Sequence, residues 1–352
     1  MPSLVKTGRG LLAQTGELMR EAGLGGRAFI VTDSNVYAHY GHPLSESLAK
    51  SGYDPQMHMI NAGEQAKNLR TLEILYDWLA GCRTERGDVI VALGGGVVGD
   101  LAGFLAATWL RGVPLVQVPT TLLAQVDSSI GGKTGVNLTT AKNLVGAFYQ
   151  ANLVVIDPAV LDSLPPREYR GGLGEVVKYG VIMDPPLFDL IESRQPDVLK
   201  QEPSIVDRIV GRCAELKLEV VGEDEREAGR RMILNFGHTI GHAIEAATNY
   251  EALLHGEAIS IGMSGACLIA VALGKLPAAT CQRLQNLLKG LGLPYAARGL
   301  AWEKVREAMG LDKKTRAGKI NWILPADIGT VEICNQVPDD VVDDVLRTLL
   351  NA

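Results

Sequence analysis

A chain of 352 residues is long for a single hydrophobic core and points to about two domains. With 47% hydrophobic and 21% charged residues it has the make-up of a globular protein. A net charge of −6 and only 5% aromatic residues exclude a general attraction to nucleic acid or anionic membrane, and a broad base-stacking surface.

Any anionic ligand must therefore be held by a local cationic cluster. Forty glycines imply many tight turns and close backbone approaches, as nucleotide-binding folds require. The five cysteines (Cys82, Cys213, Cys267, Cys281, Cys334) are scattered and form no CxxC, which argues for free thiols in a reducing compartment. The polar start MPSLVKTGRG has no apolar core of a signal peptide. The run AISIGMSGACLIAVALG, between Glu257 and Lys275, falls just short of the ~18 apolar residues of a membrane span and reads as a closely packed buried helix. A cytoplasmic protein with neither nucleic acid nor membrane as partner is expected.

In chain order, AFIVTD (28–33) reads as a strand and QMHMINAG (56–63) as another. LRTLEILYDWLAGC places Leu69, Leu72, Leu75, Trp78 and Leu79 at helical spacing. DVIVALGGG (88–96) is a strand running into glycines, and VPLVQVP (113–119) and LVVID (153–157) are further strands. Strands alternating with helices imply a parallel sheet. After Asp157 the character changes: IVDRIVGRCAELKLEVV and the segments near 235–247, 256–273 and 278–290 read as helices, with one late strand pair at KINWIL and TVEIC. The expected architecture is an α/β N-terminal domain with a Rossmann-like parallel sheet, residues 1–157, and a mainly α-helical C-terminal domain, residues 158–352.

Gly94, Gly96 and Gly99 fit GxGxxG directly after a strand, with a helix expected from about Val97. Such glycines let the backbone approach a pyrophosphate, and the helix N-terminus adds N–H donors. The usual fingerprint has an acid about 20 residues later for the ribose. Here Pro119 stands there, and Asp33, closing the upstream strand, is the candidate instead.

NFGHTIGH places His238 and His242 four apart on one helix face, and LLHGE adds His255. Histidine nitrogens suit zinc, and a three-ligand site leaves a position open for substrate. Spacing alone pairs His238 with His242; Glu175 in GGLGEVVKYG is a candidate carboxylate ligand. Lys178 follows it by three residues and would share its helix face. Lys133, Lys142, Asn143, Lys217, Arg231 and Asn235 lie beside glycines or in mostly apolar stretches, a set suited to a phosphorylated substrate.

VDSSIGGKTGVN, AKNLVGAFYQ, GLGEVVKYG, DEREAGRRMILNFGHTIGHAIE and LLHGEAISIGM, with GGGVVGD, resemble the signature blocks of the 3-dehydroquinate synthase family, in its order and spacing over roughly residues 33–263. The resemblance implies that family's fold, an NAD cofactor and zinc (or cobalt). It implies zinc ligands Glu175, His238 and His255, with His242 facing substrate, which overrules the pairing by spacing. It implies NAD contacts at Asp33, Glu64 to Lys67, Gly95, Gly96, Val97, Asp100, Thr120, Thr121 and Asp127, with Lys133 and Lys142 close to the nucleotide. Substrate would meet Asp127, Lys133, Lys142, Asn143, Lys178, Lys217, Arg231, Asn235 and His242. Arg111 would reach the phosphate from a neighbouring subunit, implying a homodimer, and Lys319 is a further candidate for the phosphate.

The implied reaction closes 3-deoxy-D-arabino-heptulosonate 7-phosphate into a carbocycle. Transient oxidation by NAD acidifies a C–H, phosphate leaves, the ketone is reduced back, and an internal aldol closure follows. The leaving phosphate would serve as its own base, since no general-base dyad is evident. Family members begin with an extra strand or hairpin, and the short start here bears on the sheet edge rather than the chemistry. Sister sugar-phosphate cyclases are the nearest rivals, against which Asn235 and His242 argue. A metal-dependent polyol dehydrogenase would not need so many substrate cations, and an inactive scaffold would not keep every expected position filled.

Overall fold

The computed structural model describes residues 3–139, 142–310, 315–316 and 319–350. The chain forms two compact units, Met1–Pro165 with Val206–Gly222, and Pro166–Ile205 with Glu223–Ala352. The division thus falls at Pro165, past the change of composition near 157. Most of the helix Pro203–Glu223 also belongs to the first unit, where Arg9 pairs with Asp207 at 2.8 Å.

The first unit is built on strands β1 (Leu4–Thr7), β2 (Ala28–Asp33), β3 (Pro55–Ile60), β4 (Val89–Gly94), β5 (Leu115–Pro119), β6 (Lys133–Val136), β7 (Val145–Phe148) and β8 (Leu153–Ile156). Six of them make one sheet in the order β1-β8-β5-β4-β2-β3, every pairing parallel. β2, β4, β5 and β8 are buried and mostly apolar, with Gln117 inside β5 and Thr32-Asp33 closing β2, as central strands of a sheet covered on both faces must be. The N-terminal edge is closed by β1, parallel to β8 and too short to stand out in the sequence. β6 and β7 form a separate antiparallel hairpin, also unforeseen, whose KTGV and VGAF strands carry glycine at the centre of the pairing.

The topology decides where ligands can enter this unit. From β2 the chain moves outward to β3, whereas from β4 it moves the opposite way to β5 and β8. The crevice at the carboxyl ends of β2 and β4 is therefore the switch point, where open parallel sheets bind ligands.

The second unit is mainly helical, with small antiparallel pairs β9 (Thr315–Arg316) with β10 (Lys319–Ile320) and β11 (Trp322–Asp327) with β12 (Thr330–Cys334). The late strand pair read from KINWIL and TVEIC is β11 with β12, preceded by β10. Three helices matter for chemistry: Pro166–Ile182, His238–Ala247 and His255–Ala272. The last is the one described helix long and apolar enough to cross a membrane, yet 72% of it is buried inside the unit, as the Gly, Ala and Ser content of its sequence suggested.

Candidate active site

The switch point of the first unit holds the glycine loop. β4 ends at Gly94, Gly95 is the N-cap, and the helix Gly96–Thr108 begins at once. A Cβ on Gly95 would lie 2.9 Å from Thr121 Cγ2, and one on Gly99 2.9 Å from Gln117 Oε1. The first glycine keeps the mouth of the loop open, and the second lets the helix press against β5. Asp33 closes the neighbouring strand, its Oδ1 accepting from the N–H groups of Asn35 and Val36. Thr120 and Thr121 follow β5 on the other side. The hydroxyls of Thr32 and Thr120 are buried and make no hydrogen bond among the described residues, so polar groups stand ready at this edge. Half-buried Val97 lies in the first turn of the helix. A loop without side chains, a free helix N-terminus and unsatisfied hydroxyls fit a dinucleotide.

A polar network borders the loop. Lys67 Nζ donates to Asp100 Oδ2 at 2.5 Å and to Asn143 Oδ1 at 2.7 Å. Glu64 Oε1 accepts from Asn137 Nδ2 at 2.8 Å and stands 3.4 Å from Lys142 Nζ. Burial lowers the Lys67 pKa most strongly, but the charges of Asp100 and Glu64 outweigh it, so the ammonium is held above its ordinary value. Asp127, in the turn Ala124–Ser128, accepts from Lys217 Nζ at 2.7 Å. The sequence-derived residues Glu64, Lys67, Asp100, Lys142 and Asn143 are thus one network, and Asp127 and Lys217 one pair. Lys133 is exposed on β6. Arg111 is exposed in a turn where Leu110, Arg111 and Gly112 all have positive φ.

In the second unit the chemistry converges on Glu175, carried by the helix Pro166–Ile182 and 1% exposed. Its Oε1 lies 3.5 Å from His238 Nε2 and 3.5 Å from His255 Nε2. Zinc bonds of about 2 Å at a tetrahedral angle leave ligand atoms about 3.3 Å apart, so the spacing and the N/N/O donor set fit that ion. Ring nitrogens of His238, His242 and His255 also lie within 4.8 Å of one another, so His242 faces the same point. Lys178 contacts Glu175 Oε2, one helical turn on, as its spacing suggested.

His238 and His255 each offer Nε2 because the other ring nitrogen is engaged. His238 Nδ1 lies 3.1 Å from the Phe236 carbonyl, and His255 Nδ1 lies 3.2 Å from Glu245 Oε1. Burial presses the His255 pKa down, but hydrogen bonds and charge from Glu175 and Glu245 outweigh it and raise it to about 10. A cation bound between these groups would take the place of that proton, so metal binding here would release it. Glu245 was not singled out in the sequence. The available signal was its place at i+7 from His238 and i+3 from His242, on one helix face.

Arg231 is buried, its Nη1 donating to the Glu225 carbonyl and its backbone N–H to Asp224 Oδ2 at 3.0 Å. Asn235 Nδ2 donates to Glu227 Oε1. Both belong to the turn Arg230–Asn235, which leads into the histidine helix. Lys319 lies on β10, and its side chain is outside the described residues.

Two family models match the chain: 3-dehydroquinate synthase N-terminal over residues 57–171 and 3-dehydroquinate synthase C-terminal over residues 172–315. A 3-dehydroquinate synthase of Picosynechococcus sp. is 48% identical over 342 residues, covering 96% of this chain and 94% of its own. That of Caldanaerobacter subterraneus subsp. tengcongensis is 48% identical over 333 residues, covering 94% and 92%. Among solved structures, 2-epi-5-epi-valiolone synthase from Streptomyces hygroscopicus subsp. jinggangensis, with NAD+ and Zn2+ bound, superposes with a TM-score of 0.92 at 31% identity, over 99% of this chain and 97% of that one. A 2-deoxy-scyllo-inosose synthase complexed with carbaglucose-6-phosphate, NAD+ and Co2+ gives 0.90 at 29%, over 98% and 96%.

Proposed function

We infer the residue roles of this site from one premise: the chain belongs to the 3-dehydroquinate synthase family. It is an enzyme of that family, a phosphate-eliminating cyclase that converts 3-deoxy-D-arabino-heptulosonate 7-phosphate into 3-dehydroquinate and phosphate, with NAD and zinc or cobalt as cofactors. When bound, NAD supplies a reversible hydride acceptor and the metal supplies Lewis acidity toward a ring hydroxyl.

The residues of the chain bind, orient and balance charge around those groups. Glu175, His238 and His255 are the metal ligands, and the 3.5 Å from Glu175 Oε1 to the Nε2 of each of the two histidines is the observation that carries this assignment. The backbone of Gly95, Gly96 and Val97 takes the pyrophosphate, with Asp33 at the ribose and Thr120, Thr121, Asp100 and Lys67 shaping the rest of the cradle. Lys133, Lys142, Asn143 and Lys217 in the first unit serve the substrate's anionic groups. So do Lys178, Arg231, Asn235 and His242 in the second. The substrate carries a carboxylate and a phosphate. The chain has a net charge of −6, so these cations must act locally. The contact of Lys178 with Glu175 supports a role for its ammonium in meeting a substrate oxygen beside the metal.

Arg111 is assigned to the phosphate bound by a neighbouring subunit, and the assembly is a homodimer. The exposed side chain on a left-handed turn supports a residue directed outward. Cytoplasmic residence belongs to the same reading, supported by five free cysteines. It predicts that metal-loaded protein fractionates with the cytosol.

One experiment tests both the metal ligands and the shared site. Glu175→Gln and Arg111→Ala subunits are each expected to be inactive in phosphate release. Unfolded, mixed one to one and refolded, they should regain about a quarter of wild-type activity, because half the dimers are mixed and each holds one intact site. No recovery from a mixture that sediments as dimers would overturn the assignment of Arg111. Wild-type activity of Glu175→Gln alone would overturn that of the metal site.

A further inference from the structure

Glu245 lies in the histidine helix with its side chain 11% exposed. A carboxylate is costly to bury unless paired, and what it faces is His255 Nδ1, at 3.2 Å. The same imidazole turns Nε2 toward Glu175 Oε1 at 3.5 Å. A histidine that ligates through Nε2 must carry its hydrogen on Nδ1, and an anionic acceptor there fixes tautomer and ring plane and makes Nε2 a stronger donor. His238 satisfies the same need differently, through the neutral carbonyl of Phe236 at 3.1 Å. The two histidines are thus held unequally, one by a backbone dipole and one by a full charge.

We propose that Glu245 is a positioning residue for the metal site: its carboxylate accepts the Nδ1 hydrogen of His255 and aims the Nε2 lone pair at the cation held with Glu175 and His238. The proposal rests on the ligand assignment above. It also explains the order of the helix face, since His238, His242 and Glu245 sit at i, i+4 and i+7 and all turn toward the start of the helix His255–Ala272. Glu245 adds an acidic side chain behind His255, on the side away from Glu175, whose own Oε2 is already in contact with Lys178. Glu245 therefore sets how tightly the metal is held without touching it.

The test is metal affinity rather than turnover. Wild type, Glu245→Gln and His255→Ala are stripped of metal. Zinc binding is then read by competition with a chromophoric chelator, the visible spectrum of the cobalt-loaded protein is recorded, and NAD binding is followed by fluorescence. Glu245→Gln keeps the shape and an acceptor oxygen but loses the charge. It is expected to bind zinc about tenfold more weakly, with a shifted cobalt spectrum and unchanged NAD affinity. Glu245→Ala, which also loses the acceptor, is expected to approach a hundredfold loss and to lose the Nδ1–H signal of His255 in proton–nitrogen spectra of the zinc-loaded protein. If Glu245→Ala fails to fold, the Gln variant and its spectrum carry the test alone. Wild-type zinc affinity and cobalt spectrum in Glu245→Gln, together with loss of zinc in His255→Ala, would overturn the role of Glu245 and leave the ligand set standing. Wild-type affinity in His255→Ala would overturn the ligand set itself.

Discussion

Asp88 is a single carboxylate that ties together the beginnings of two central strands. It accepts from the Arg27 N–H, the Arg27 guanidinium and the Glu85 N–H, each at 2.8 Å, just before β2 and β4 enter the sheet. Burial alone would raise its pKa, but the two backbone N–H groups and the guanidinium reverse this and hold it below the usual carboxylate range. A carboxyl depressed on folding contributes stability that is complete above its unfolded pKa of about 3.9 and is lost as pH falls through the folded value. Asp88→Asn should therefore cost about 1–3 kcal/mol at neutral pH and flatten the stability curve below pH 4. Urea titrations from pH 3 to 7 read both effects. A variant that loses stability in parallel with wild type down to pH 3 would contradict the assignment.

At the same scale, the ligands differ in how legible they were. His238 and His242 are visible as a pair because i and i+4 share a helix face. Glu175 and His255 reach the site only through the packing of three helices, which no local spacing reveals. The residue types made both candidates, and the family blocks selected them as ligands over the pairing by spacing. Glu245 escaped because its partner is a nitrogen of a residue on another helix, and an acid in an amphipathic helix reads first as a solvated face.

The metal cluster depends on how closely those helices approach. The helix Pro166–Ile182 meets the start of His255–Ala272 where a Cβ on Gly256 would stand 1.8 Å from the Gly171 carbonyl oxygen and one on Gly174 2.5 Å from that of Gly256. The segment Gly237–Gly241 meets the same helix at Gly262, whose Cβ would stand 1.9 Å from the Gly237 carbonyl oxygen. Backbone touches backbone at both crossings, which brings short side chains such as Glu175 and His255 within one coordination sphere. Gly256→Ala must push the helices apart. It is expected to destabilise the protein by about 1–3 kcal/mol and to weaken zinc binding more than tenfold, NAD affinity being retained. Thermal melting and chelator competition measure the two losses, and wild-type zinc affinity in a folded Gly256→Ala protein would contradict this account.

The glycines of the apolar run were legible as signs of close packing, though not of which helix packs where. Among the strands, β2 and β4 were legible because buried parallel strands read as near-continuous apolar runs, here AFIV and VIVAL. β6 and β7 were not, since glycine at the middle of each removes the alternation that marks a hairpin. β1 was missed because four edge residues with mixed exposure carry no pattern.

For the whole molecule, division of labour follows from the two units. The first supplies a switch-point crevice with the glycine loop and its cationic border, the second a buried donor set. The alternation of strands and helices up to 157 and the helical remainder were plain in the sequence. The share of the first unit contributed by 206–222 was not, because an amphipathic helix does not disclose what its apolar face covers. The net charge argued against a general attraction to polyanions, and the cations beside glycines pointed to a small anionic substrate, in keeping with the family's reaction.

The most direct test of that reaction is phosphate release from 3-deoxy-D-arabino-heptulosonate 7-phosphate by zinc-loaded protein, with NAD present at a concentration far below that of substrate and NADH absorbance followed throughout. The expected result is release of many phosphates per NAD with no lasting NADH, since the cofactor is oxidant and reductant in one turnover. Phosphate release that stops after one equivalent of NAD, or NADH that accumulates in step with phosphate, would contradict an internal redox cycle. No release from folded, metal-loaded protein would contradict the assignment of the substrate.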